Sequence, residues 1–232
     1  MRKKLCYLIL SFTASALFAQ EHPPRFFIGP MMGYNFSYHK GITTDPANGD
    51  ILSGSAGGDG NGSLLGLTSE YWLGNRGGLA IQCKLYYEQM PGAITLFPTG
   101  QYYDPYQLGT SAGINITYNT FNFEALFKYE VIAHLGIVGG PEFGYVINRT
   151  YSENGATFSY KDSVVMSLFN ASGEIPGSHT WRTGIDLGLQ YEFFWGNFLI
   201  TPAIIYDFGI TPVAQAWRVN TLAGTIDVKY GL

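Results

Sequence analysis

The sequence predicts an all-β protein, an eight-stranded antiparallel transmembrane β-barrel of up-and-down topology preceded by a cleaved signal peptide. Three observations carry that prediction. Segments of alternating polar and apolar residues recur along the chain, aromatic residues gather at the ends of the apolar faces, and no charged residue falls on those faces. A period of two puts successive side chains on opposite sides of a strand. Aromatic ends around an aliphatic middle match the interfacial girdles of a membrane barrel, whose inner side is polar.

The chain opens with Arg2, Lys3 and Lys4, an apolar run from Leu5 to Phe18 broken by Ser and Thr, and Ala19 before Gln20. This reads as a secretory signal peptide over residues 1–19, cleaved after Ala19, with the barrel domain over residues 20–232. The run is shorter than the roughly 20 residues a membrane-spanning helix needs. Cys6 lies at its start and not just after its end, which argues against a lipoprotein signal. No later stretch reaches 18 apolar residues in a row, so a spanning structure has to be a barrel. Cleavage leaves 10 basic against 17 acidic residues, a net charge of −7 that disfavours nucleic acid as a partner. Only Cys83 remains in the mature chain, which excludes an intramolecular disulfide and a cysteine metal cluster.

The clearest hairpin lies at residues 182–210. Ile185, Leu187, Leu189, Tyr191 and Phe193 share one face of its first strand, and Arg182, Gly184, Asp186, Gly188, Gln190 and Glu192 share the other. A turn at 194–197 leads to a second strand in which Phe198, Ile200, Pro202, Ile204, Tyr206 and Phe208 alternate against Leu199, Thr201, Ala203, Ile205 and Asp207. The same reading gives earlier strands at 26–38, 64–73, 79–88, 117–130 and 136–149, and a last one at 221–232. Between them lie three long segments without a period, at 39–62, 90–113 and 150–180, which read as exposed loops. Long and short connections alternate, as in barrels with short periplasmic turns and longer extracellular loops, and this places both termini on the periplasmic side.

A Lys or Arg on the lipid face at the bilayer midplane costs roughly 2–4 kcal/mol. The outward sets contain none, whereas Glu70, Lys84, Glu88, Glu124, Lys128, Glu142, Arg182, Asp186, Glu192, Asp207, Asp227 and Lys229 all point inward. A soluble barrel with an apolar interior would show the reverse. Eight strands leave an interior just wide enough for side chains to fill. The expectation is that Lys84, Lys128, Arg182 and Lys229 are neutralised by Glu70, Glu88, Glu124, Glu142, Asp186, Asp207 and Asp227, with Asp207 beside Lys229, so that the lumen is plugged. Pro30, Pro141 and Pro202 fall inside strands although a closed barrel has no free edge to absorb a missing N–H, so bulges are expected there.

Gly29-Pro30-Met31-Met32-Gly33-Tyr34 recurs as Gly140-Pro141-Glu142-Phe143-Gly144-Tyr145. With the signal peptide, the strand from Glu124 to Tyr129, Tyr206-Asp207-Phe208-Gly209 and the closing Val228-Lys229-Tyr230-Gly231-Leu232, the chain resembles the porin-like outer-membrane β-barrel domain family, which includes proteins of the PorT type. The resemblance spans essentially the mature chain. It implies a bacterial outer-membrane location and barrel architecture, and it brings no catalytic residue. Val228, Tyr230 and Leu232 look like the alternating C-terminal signal for membrane insertion, with Leu where an aromatic is usual.

The expected role is structural or interactive through the long loops, with the alternatives of a small porin for small solutes and of a lipid-modifying barrel enzyme. The expected partners are outer-membrane lipid, the barrel-insertion machinery and an extracellular or periplasmic protein, with the barrel itself a monomer. No catalytic, cofactor-binding or metal-binding set is readable from spacing. The Gly57–Gly62 run with Asp45 and Asp50 hints at calcium, but without tandem repeats it reads as a flexible loop. His22, His39, His134 and His179 read as solvated; His39, His179 and nearby Ser37 are the only residues to name for an enzyme at the rim.

Overall fold

A computed structural model describes residues 24–44, 51–74, 78–96, 108–159 and 164–232. The signal-peptide segment, His22, Asp45 and Asp50 lie outside the described residues. The elements are β1 (Phe26–Thr44), β2 (Ile51–Trp72), β3 (Leu79–Gln89), β4 (Gly92–Leu96), β5 (Leu108–Ile132), β6 (Leu135–Ser159), β7 (Val164–Glu174), β8 (Trp181–Tyr191), β9 (Phe193–Trp195), β10 (Phe198–Gly209) and β11 (Arg218–Gly231). Antiparallel ladders run β1–β2–β3–β5–β6–β8–β10–β11 and return from β11 to β1, a closed ring of eight strands. The three remaining segments prolong members of this ring. β4 follows β3 along β5, β7 lies along the upper part of β6 above β8, and β9 follows β8 along β10.

Closure pairs the backbone groups of every stave, and the alternation then sorts the side chains by solvent. Leu65 and Ile204, each 63% exposed, face outward, while Glu70, at 1%, faces the lumen. The outer band is free of charge up to Lys40 and Arg218, which are exposed and sit opposite each other on β1 and β11. Aromatic residues frame it. Phe26, Tyr71, Tyr129, Tyr191, Phe198 and Tyr230 ring the end with short turns, and Tyr34, Phe36, Tyr145, Trp181, Tyr206 and Phe208 ring the other. Edge-on packing ties neighbours in both rings, with centroids 5.3 Å apart for Phe198–Tyr230 and 5.1 Å for Tyr145–Trp181, contacts worth about 0.5–1.5 kcal/mol beyond burial.

The long segments differ from the expectation. Their described residues are largely strand: β1 and β2 pair past residue 39, β5 and β6 pair from Leu108↔Ser159 downward, and β7 pairs with β6 through residues 164–174. The Gly57–Gly62 run is likewise in a ladder, with Gly58 opposite His39, Asp59 opposite Tyr38 and Gly62 opposite Asn35. Glycine has no side chain to show a period, yet it is what the packing demands there. A Cβ on Gly60 would lie 2.0 Å from the Pro91 carbonyl oxygen, and one on Gly62 would lie 1.8 Å from that of Gln89.

The prolines mark gaps in the ladders and not bulges. Register is unchanged from Ile28↔Tyr230 to Met31↔Asp227, from Glu124↔Glu142 to Phe127↔Gly139, and from Ile200↔Phe193 to Ala203↔Gln190, but the pairs between are not bonded. Each proline points outward, and its missing N–H interrupts the ladder to one neighbour while the ring stays closed. At two of the three, the preceding glycine lets the strands close up. A Cβ on Gly29 would meet the Val228 oxygen at 1.9 Å, and one on Gly140 the Ala125 oxygen at 2.0 Å.

Candidate functional site

The lumen is filled in layers. At the end carrying the termini, Phe27, Trp72, Ala80 and Leu199 pack together with Phe194 against them. Directly above lies the lower charge cluster. Glu70 accepts hydrogen bonds from Lys128 on one carboxylate oxygen and from Lys229 on the other, and Glu192 accepts a second bond from Lys128. The two lysines come from staves on either side of β2, each with one stave between. Ala80, in register between Trp72 and Lys128, and Gly29 beside Lys229 keep the intervening positions small. The Lys128 ammonium also sits 4.3 Å from the Trp72 ring centre, a cation–π contact. Gln82 donates to Glu70 at 3.4 Å and to Asp227 at 3.5 Å, and Gln190 donates to Gln82 at 2.8 Å. Lys229 lies 4.0 Å from Asp227.

The upper cluster is built around Arg182, whose two terminal nitrogens bond Glu142 and Asp207 separately. Glycines make the room: a Cβ on Gly184 would lie 2.2 Å from Asp207 Oδ1, and one on Gly144 would lie 2.5 Å from Asn122 Oδ1. Glu88 accepts from the side-chain amides of Asn35 at 2.6 Å and Asn122 at 2.8 Å. The Tyr86 hydroxyl donates to Glu124 at 2.5 Å and lies 3.4 Å from Glu142. Lys84 stands 3.8 Å from Glu124 without a hydrogen bond, and neither oxygen of Asp186 has a hydrogen-bond partner. Between them is a cavity of about 10 Å³, room for roughly one water molecule.

This arrangement differs in detail from the expected one. Asp207 is bound to Arg182 and not beside Lys229, Glu88 is held by amides and not by a cation, and Asp186 is left over. Glu192 joins the lower cluster. The neutral members, Gln82, Gln190, Asn35, Asn122 and Tyr86, do much of the bonding. Their only sequence signal was an inward place in the alternation.

Above the charges, at the end of the long hairpins, Met90, Ile94, Ile114, Ile116, Tyr118, Val146, Tyr151, Ile175, Val213, Ala214, Trp217 and Val219 form an apolar core. His39 packs against it through the Trp217 ring and is buried, against the expectation of a solvated ring. Trp217 Nε1 donates to His39 Nδ1 at 3.1 Å, so His39 Nε2 carries the hydrogen and donates to the Pro91 carbonyl at 3.1 Å. Ser37 donates to the same carbonyl. Both ring nitrogens are therefore engaged, and neither faces the serine hydroxyl. His179 is exposed, and His134 sits in the β5–β6 turn with φ at 71°. At the C-terminus, Val228, Tyr230 and Leu232 point outward, and the Leu232 amide donates to the Phe26 carbonyl at 2.9 Å across the seam that closes the ring.

A closed ring with a charge-free outer band, aromatic girdles and a polar lumen fits only a membrane barrel. Residues 18–215 match the family model described as outer membrane protein β-barrel domain. The chain belongs to this family. Its place is the bacterial outer membrane. Solved outer-membrane barrels align with it at low similarity. Ail, the attachment invasion locus protein of Yersinia pestis, is 11% identical over 89% of this chain and 99% of its own, with a TM-score of 0.35. OprG of Pseudomonas aeruginosa is 15% identical over 91% and 97%, with a TM-score of 0.34. The outer membrane protease OmpT of Escherichia coli is 9% identical over 90% and 97%, with a TM-score of 0.36. No curated protein matches the chain.

Proposed function

We propose that this protein is a closed outer-membrane barrel that works through its extracellular hairpins as a structural or interaction module, and is neither a pore nor an enzyme. The observation that carries this reading is the filling of the lumen by described residues, in the Trp72 layer, the two charge clusters and the apolar core around Trp217. A solute path would have to break all of them. The strands β5, β6 and β7 extend well above the charge-free band and present a rigid surface to an extracellular protein partner. Residues 1–19 serve export, Val228, Tyr230 and Leu232 present the insertion signal to the assembly machinery, and the barrel is a monomer in outer-membrane lipid. The engagement of His39 and Ser37 with Pro91 argues against the rim enzyme.

Purified barrel in planar bilayers should show no stable conductance. Large, steady single-channel steps would overturn the closed-lumen reading and make the protein a small porin.

A further inference from the structure

The upper cluster is short of positive charge. Glu88, Glu124, Glu142, Asp186 and Asp207 are all buried there with only Lys84 and Arg182 among the described residues to balance them. The like charges are also placed face to face: Glu124 is directly opposite Glu142 on β5 and β6, and Asp186 is directly opposite Asp207 on β8 and β10. Such pairs destabilise a sheet unless something bridges them. Arg182 bridges Glu142 and Asp207. Glu124 has the neutral Tyr86 hydroxyl and Lys84 at 3.8 Å but no hydrogen bond from a cation, and Asp186 has no side-chain hydrogen bond.

We propose that the upper lumen holds one calcium-sized divalent cation between Glu124, Glu142 and Asp186. One oxygen from each of the three carboxylates lies within 4.8 Å of the others, a spacing compatible with a central ion at the calcium–oxygen distance of about 2.3–2.6 Å. Asp186 supplies the independent pointer. It is 1% exposed, it turns into the cluster, and both of its oxygens lack a hydrogen-bond partner, as does Glu124 Oε2. An unpaired buried carboxylate is expensive, and a cation removes that cost. Tyr86 orients Glu124 by a hydrogen bond to its other oxygen, and Arg182 does so for Glu142, as outer partners of metal ligands do.

Calcium suits the site better than magnesium. It accepts irregular sets of six to eight oxygens, whereas magnesium demands an octahedron and keeps several waters, and the adjoining cavity of about 10 Å³ has room for about one. Lys84 does not substitute for the ion, because five carboxylates against two cations leave an excess of three negative charges, which one divalent ion reduces to one. Spacing in the sequence could not reveal the set, since its members come one each from β5, β6 and β8.

The test uses the whole barrel refolded in detergent micelles with calcium chloride, freed of unbound ion on a desalting column, and analysed by mass spectrometry of its metal content. Urea midpoints are measured in parallel in calcium and in EDTA. The native protein should retain one calcium per chain and show a higher midpoint in calcium. Asp186→Asn and Glu124→Gln should lower the bound metal to background and abolish the calcium-dependent shift. Asp227→Asn, which removes an equally buried acid from the lower cluster, should keep both. Asp186→Asn deletes a carboxylate without hydrogen bonds, so in EDTA it should fold at least as well as the native chain, which guards against reading misfolding as loss of metal. A native barrel without calcium and with equal midpoints in both buffers would overturn the site. So would equal retention of the metal by all three variants. In the first case, a midpoint that rises on acidification would show that protons take up the excess charge instead.

Discussion

The two halves of the lumen use the same residue types and solve different problems. In the lower cluster Glu70 sits between two lysines, Glu192 and the Trp72 ring also engage Lys128, and Gln82, itself bonded by Gln190, donates to Glu70. In the upper cluster Arg182 is equally well bonded, but Lys84 and Asp186 have no hydrogen bonds. Burying an ion pair yields little stability by itself, whereas stripping one partner from it is costly. The contrast teaches that a charge count alone does not rank these residues. The number of bonds each one closes does.

The sharpest way to break the comparison is Glu70→Ala. It takes from Lys229 its hydrogen-bonded carboxylate and from Lys128 one of two, so it should lower unfolding stability by the roughly 3–5 kcal/mol typical of a broken buried pair, read as the urea midpoint in micelles with the gel-mobility shift of the folded barrel. Next comes the pair Lys128→Met and Lys84→Met. Lys128 bonds two carboxylates and covers an indole, and Lys84 bonds none, so the first should lose clearly more, by about 2 kcal/mol. Equal losses would mean that the lumen is hydrated and its charges act independently, which favours the small porin. The smallest effect belongs to Trp217→Phe in the apolar core. It removes the donor to His39 while keeping an aromatic ring, and should cost about 1 kcal/mol. Because that bond lies above the charge clusters, hydrogen exchange should loosen in the upper hairpins and not around Glu70.

The sequence determined the class of the fold and the compartment, because both follow from a one-dimensional rule. In a bilayer each side chain must match lipid or lumen, and a regular strand alternates them, so the faces of Leu79 to Glu88 or of Thr221 to Leu232 could be read residue by residue. The lumen members were legible for the same reason. Their partners were not. Lys229 reaches Glu70 across 159 positions and Gln82 reaches Asp227 across 145, contacts set by how far each stave is staggered when the ring closes. The strand ends were equally hidden. Above the membrane no lipid imposes a period, so the Gly57–Gly62 run and the segment of β7 are held by backbone bonds to neighbours that only the assembled barrel brings alongside.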